Sequence, residues 1–114
     1  MHELSIALSM IDMAVEEAER RGNARVQALH LRLGPLSGVV KDALVFAYDV
    51  ASQDTPLSGS RLEIEEIPVV VFCPECRREL VLEDIRDFSC PACGTVATQL
   101  VSGRELELAA LELE

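Results

Sequence analysis

Over residues 4–21, apolar positions return every three or four residues, at Leu4, Ala7, Leu8, Ile11, Ala14, Val15 and Ala18, with Glu16, Glu17, Glu19 and Arg20 between them. This period predicts an amphipathic helix with one buried stripe, stopped by Gly22. The period then falls to two. Leu29, Leu31 and Leu33 alternate with His30 and Arg32, so residues 24–33 read as a strand that turns at Gly34-Pro35. His30, mid-strand beside Arg32, reads as a surface or partly covered position and not as a metal ligand. A second helical stripe, Val40, Leu44, Ala47, Tyr48 and Ala51, lies within residues 37–52 and is expected to start near Ser37 to Val39.

Residues 53–60 carry little apolar weight and read as a turn. Leu62 and Ile64, alternating with Glu63 and Glu65, give a half-buried strand. The apolar run of residues 67–72 follows, broken by Pro68, which cannot donate a ladder hydrogen bond and so marks a strand end or an edge. Residues 104–114 form a last strand. Leu106 and Leu108 have one parity there, and Leu111 and Leu113 the other, so either a bulge near Ala109-Ala110 or a strand covered on both faces is expected. The fold class is α+β, a small three-stranded sheet with two helices.

All four cysteines fall between the last two strands. They are written Cys73-Pro-Glu-Cys76, a thirteen-residue arm, and Cys90-Pro-Ala-Cys93-Gly94. Two Cys-x-x-Cys turns at this separation aim four thiolates at one tetrahedral ion, which is the pattern of a structural zinc ribbon. A pair of disulfides does not suit a chain without a secretory signal. A thioredoxin-like motif uses one pair, whereas here Pro74 and Pro91 sit inside both. Iron–sulfur ligation stays open, because thiolates suit iron as well as zinc. The expected organisation is a domain of residues 1–68 and 102–114 with a zinc ribbon, residues 69–101, inserted in it. A segment of that size needs its metal as a staple. The crossings near Pro68 and Gly103 are either hinges or a rigid junction.

Composition narrows the function. The 20 acidic residues against 10 basic ones give a net charge of -10, and such a field repels nucleic acid. A ribbon that binds nucleic acid or recruits another protein is the competing reading, and the charge weighs against its nucleic-acid form. Arg77, Arg78 and Arg86 in the arm are expected to offset the charge of four thiolates on a divalent ion. No run approaches the roughly 18 apolar residues of a membrane span, and the opening Met-His-Glu-Leu lacks the basic start of a signal peptide. The expected setting is the cytoplasm.

The amino terminus offers a second chemistry. The α-amine of Met1, the amides that follow and the imidazole of His2 lie within one chelating span, and Ni(II) or Cu(II) favours such square-planar nitrogen sets. Met-His at a start codon is nonetheless common by chance.

Five features stand in order along the chain: Met1-His2-Glu3-Leu4-Ser5, Leu33-Gly34 with Leu36-Ser37-Gly38-Val39, Leu62-Glu63-Ile64-Glu65, the two cysteine turns, and Ser102-Gly103-Arg104-Glu105-Leu106. Together they resemble the HypA/HybF family, the nickel-insertion accessory proteins of [NiFe]-hydrogenase maturation. The resemblance spans essentially the whole chain. It implies a non-enzymatic metallochaperone with Ni(II) as transient cargo and Zn(II) as structural metal. By residue, it implies nickel at Met1 through its amine, at His2 through its imidazole and amide, and at Glu3 through its amide or a modulating carboxylate. It implies zinc at Cys73, Cys76, Cys90 and Cys93. The implied partners are a HypB-type GTPase and the hydrogenase large subunit, with urease maturation proteins as further clients of some members. Monomer and homodimer both stay open. Arg77 departs from the common pattern, standing where many such knuckles place Gly. No phosphate-binding Gly-x-x-x-x-Gly-Lys-Ser/Thr sequence occurs, so nucleotide hydrolysis belongs to a partner.

Overall fold

Helix α1 (Glu3–Arg20) opens the computed structural model, which describes residues 2–96 and 99–114. The helix closes as the glycine predicts, with Gly22 at φ 77° and its N–H donating to the Glu19 carbonyl at 3.2 Å. Strand β1 (Val26–Leu33) follows, then a 3-10 turn at Pro35–Ser37, helix α2 (Lys41–Ser52) and strand β2 (Arg61–Glu66). Strands β3 (Val70–Cys73), β4 (Arg78–Val81), β5 (Gln99–Ser102) and β6 (Leu106–Leu113) complete the order. Helix α2 starts later than its stripe suggests, because the Pro35–Ser37 turn ends on Gly38 in the left-handed region and Val40 becomes the cap. Among the described residues no helix is long and apolar enough to cross a membrane.

The chain packs as two units. The first comprises Met1–Arg32, Val39–Glu65 and Glu107–Glu114, and holds the sheet ordered β2-β1-β6 with α1 packed on α2. Its buried residues include Ala7, Met10, Ile11, Ala14 and Ala18 of α1, Leu29 and Leu31 of β1, and Leu44, Ala47 and Tyr48 of α2. The period of α1 is as expected, but its buried face is centred elsewhere. Leu4 and Leu8 are 51% and 47% exposed, since Leu8 sits about 100° around the axis from the buried Ala7.

Strand β6 resolves the parity problem of its leucines. Arg32 pairs with Glu107 at 3.1 Å and His30 with Glu112 at 3.1 Å. Arg32 and His30 share one face of β1, yet Glu107 and Glu112 have opposite parity. The strand therefore changes phase between them, at the exposed Ala109-Ala110, and all four leucines keep the opposite face.

The second unit comprises Leu33–Gly38 and Glu66–Leu106, a wider span than the cysteine arm alone suggests. Backbone hydrogen bonds draw residues 33–38 into it: Ile67 N–H to the Leu33 carbonyl, Gly34 N–H to Glu105 and Leu36 N–H to Gly103, each 2.8 Å. Its sheet has the order β4-β3-β5, both pairings antiparallel, with β3 bonded to β4 from Val70↔Val81 to Cys73↔Arg78. Pro68 falls between the end of β2 and the start of β3, as its missing donor requires. Val69, Val71 and Leu82 form the buried core, with Leu36, Leu80 and Leu100 packed against it.

Candidate metal centres

The first cysteine turn is the end of the β3–β4 hairpin. Cys73 is the last residue of β3, and Arg77 N–H donates back to the Cys73 carbonyl at 2.7 Å. The second turn repeats this closure, with Gly94 N–H donating to the Cys90 carbonyl at 2.8 Å, and is tied further by Cys90 N–H to Thr95 at 2.8 Å. Both turns need a left-handed residue after their second cysteine: Arg77 has φ 54° and Gly94 has φ 76°. The two loops point their sulfurs at a common centre. Cys73 Sγ lies 3.6 Å from Cys93 Sγ, and Cys76 Sγ lies 3.9 Å from Cys90 Sγ, with all four within 4.8 Å of one another.

A disulfide needs about 2.05 Å between sulfurs, so neither pair is bonded. A tetrahedral ion at about 2.3 Å from each sulfur sets the edges near 3.8 Å, which these distances fit. The four-cysteine cluster can thus hold a zinc ion, and the sulfur geometry alone does not separate zinc from iron. The donors are not equivalent. The Thr95 hydroxyl, 3.0 Å from Cys93 Sγ, together with the Thr95 N–H lowers the Cys93 thiol to about 6. Cys76 moves the other way, to about 12, chiefly because it shares its proton with the Cys93 sulfur. Four sulfurs this close cannot all ionise without a cation between them. Of the three arginines of the arm, Arg86 is committed elsewhere. Arg86 is 87% exposed and spends its guanidinium on Asp84 at 3.1 Å.

Arg77 carries a prediction. A non-glycine residue in the left-handed region costs roughly 1–2 kcal/mol, partly balanced by the greater chain entropy of glycine when unfolded. Arg77→Gly is therefore expected to stabilise the metal-loaded protein by up to about 1 kcal/mol, read as a higher thermal midpoint. A lower midpoint would mean that the Arg77 side chain holds the turn by contacts worth more than the strain.

The amino-terminal residues lie in the first unit. Met1 is outside the described residues. His2 caps α1 in extended conformation, φ -86° and ψ 118°, exposed, with its carbonyl accepting from Ile6 N–H at 3.3 Å. The first N–H groups of a helix have no partner within it, so the amides after His2 are free of the helix ladder. Glu3 is more constrained than its sequence position suggests. Its Oε2 accepts from Val40 N–H at 3.3 Å, which joins the start of α1 to the start of α2. Its own N–H and that of Val40 hold its carboxyl below the ordinary carboxylate range. Nothing in the local sequence announces this tie, because its two ends are 37 residues apart.

A four-thiol cluster able to hold an ion, in one of the two units, marks the chain as a metal-binding protein. The family model described as "Hydrogenase/urease nickel incorporation, metallochaperone, hypA" matches residues 1–113. The chain is 56% identical over 114 residues to the hydrogenase maturation factor HypA of Roseiflexus sp. (strain RS-1), covering 100% of this chain and 93% of that protein. The solution structure of the Ni metallochaperone HypA from Helicobacter pylori has the same fold at TM-score 0.63 and 23% identity, covering 99% of this chain and 97% of that one. A second solution structure, of a HypA protein, gives TM-score 0.72 at 22% identity, covering 100% and 97%. The chain belongs to the HypA family of hydrogenase/urease nickel-incorporation metallochaperones, which are not enzymes.

Proposed function

We propose that the protein takes Ni(II) at its amino terminus and hands it, together with a HypB-type GTPase, to the large subunit of a [NiFe]-hydrogenase, with urease maturation proteins as further recipients, in the cytoplasm. The nickel residues are Met1 through its amine, His2 through its imidazole and amide, and Glu3 as a neighbouring amide whose carboxylate orients the turn. Zinc is held by Cys73, Cys76, Cys90 and Cys93 and stays with the protein. The observation that carries this reading is the placement of His2, exposed and extended one residue before a helix, in a chain of the nickel-incorporation family. Exposed nitrogen donors at a helix start release an ion more readily than four closed thiolates do. The tie from Glu3 to Val40 supports the assignment of an orienting role to that carboxylate.

Calorimetric nickel titration of zinc-loaded, untagged protein tests the site. His2→Ala and a chain with one residue added before Met1 are each expected to lose at least tenfold in affinity. In the parent, affinity falls with falling pH, because amine, amide and imidazole must shed protons to bind. Unchanged affinity in both altered proteins overturns the amino-terminal site.

A further inference from the structure

The chain has two histidines, and the proposed nickel site uses only one. The other, His30, stands on the central strand of the β2-β1-β6 sheet with a carboxylate on each side. Glu63 of β2 places Oε2 3.5 Å from His30 Nδ1, and Glu112 of β6 places Oε1 3.1 Å from His30 Nε2. One ligand atom from each of the three residues falls within 4.8 Å of the others.

The remaining carboxylate oxygens are occupied. Arg61 donates from Nε to Glu63 Oε1 at 3.1 Å and from its terminal nitrogen to Glu112 Oε2 at 2.9 Å. One guanidinium therefore fixes both carboxylates and turns one free oxygen of each toward the imidazole. A nitrogen donor between two oriented oxygen donors, with an outer group holding the oxygens, is how protein metal sites are supported. Donors at about 2.0–2.2 Å from an ion lie roughly 3.0–3.5 Å apart around it; the two carboxylates face different ring nitrogens, so an ion bound through one of them draws in the more distant carboxylate by side-chain rotation, over a spread of no more than 4.8 Å. A recess of about 270 Å³ lined by His30, Arg32, Glu63, Glu65 and Ala109 opens on the Glu63 side of the ring and leaves that side open to water.

We infer that His30, Glu63 and Glu112 form a second, surface site for a divalent transition-metal ion of the Zn(II), Co(II) and Ni(II) class. The imidazole sets that class, since calcium and magnesium prefer oxygen alone. Arg61 is a positioning residue whose charge keeps the affinity moderate. The phase change of β6 at Ala109-Ala110 is what brings Glu112 to this face, so the bulge has a role here beyond protecting an edge strand.

Because the protein has only two imidazoles, Co(II) chloride with NMR of the ring protons assigns the site directly. The full zinc-loaded chain with one residue added before Met1 disables chelation through the terminal amine. On adding one equivalent of Co(II), the His30 signals are expected to broaden away, and His30→Gln, Glu63→Gln and Glu112→Gln should each weaken Co(II) binding about 10- to 100-fold with unchanged far-UV circular dichroism. Arg61→Gln should shift affinity by less than its ligand neighbours do. His30 signals that stay sharp at one equivalent, or a His30→Gln protein that binds Co(II) like its parent, overturn the proposal. These readouts do not depend on the amino-terminal nickel site, which fails or stands on the His2→Ala titration alone.

Discussion

Cys73→Ser is expected to leave residues 66–106 without a cooperative fold, and a strong chelator is expected to do the same to the parent protein. The apolar core of the second unit is small, with Val69, Val71 and Leu82 buried and three more residues packed partly against them. Full burial of such side chains supplies about 1.5–3 kcal/mol each. A core of that size does not by itself hold a segment of this length, which is why a metal is needed as its staple. A structural zinc adds on the order of 10–16 kcal/mol at neutral pH. Removing one thiolate spoils a closed tetrahedral site, and Cys73 is also the last residue of β3, with no exposed surface. Amide hydrogen exchange provides the measurement. Protection of β3 and β4 should disappear while that of α1, α2 and β1 persists. Full protection of β3 and β4 in metal-free protein would show that the unit folds on apolar burial alone. Zinc occupancy should also fall as the pH falls, because protons compete for the thiolates.

The parts of this fold that were legible in the sequence are those set by local rules. A 3.6-residue period, a two-residue period, a glycine after a helix and paired Cys-x-x-Cys turns announce α1, β1, α2 and the four-sulfur cluster, because each signal lies within a few residues of the structure it determines. The start of α2 falls later than the stripe implies, because the stripe runs through Val40 while Gly38 adopts φ 81°. Leu4 and Leu8 fit the period but not the buried face, since periodicity gives an orientation only to within a side chain or two. The features that sequence does not reveal are meetings of distant residues. Glu3 with Val40, His30 with Glu112 and Leu33 with Ile67 depend on which helices and strands become neighbours, and no window along the chain contains both members. His30 reads as an ordinary strand position for that reason. The carboxylates beside it come from β2 and β6, and Glu112 reaches it only because β6 changes phase.

The same limit hides the position where one added methyl group should do most harm. Gly34→Ala is expected to destabilise the protein by more than about 3 kcal/mol, beyond the usual range for a small residue exchanged outside a core. Gly34 has φ -100° and ψ 153°, a conformation any residue adopts, so the backbone itself does not require glycine. Space does. A Cβ there would stand 2.1 Å from the Gly103 carbonyl oxygen, 2.3 Å from its carbon and 2.9 Å from Arg104 N, all of them backbone atoms that cannot rotate away. Gly103 is held in turn at φ 125°, with Val69 already within 2.9 Å of where its own Cβ would lie. Relief requires the segments to part, which breaks the Gly34 N–H bond to Glu105 and the Leu36 N–H bond to Gly103. Gly38→Ala is the control, because Gly38 has φ 81° with open space around it and should cost only the left-handed strain, about 1–2 kcal/mol. In thermal unfolding of zinc-loaded protein, Gly34→Ala should lower the midpoint by at least about 12 °C and clearly more than Gly38→Ala. If Gly34→Ala instead unfolds at or above the parent midpoint, reduced chain entropy in the unfolded state outweighs the contact, and the close approach of Gly34 to Gly103 is not a constraint on the fold.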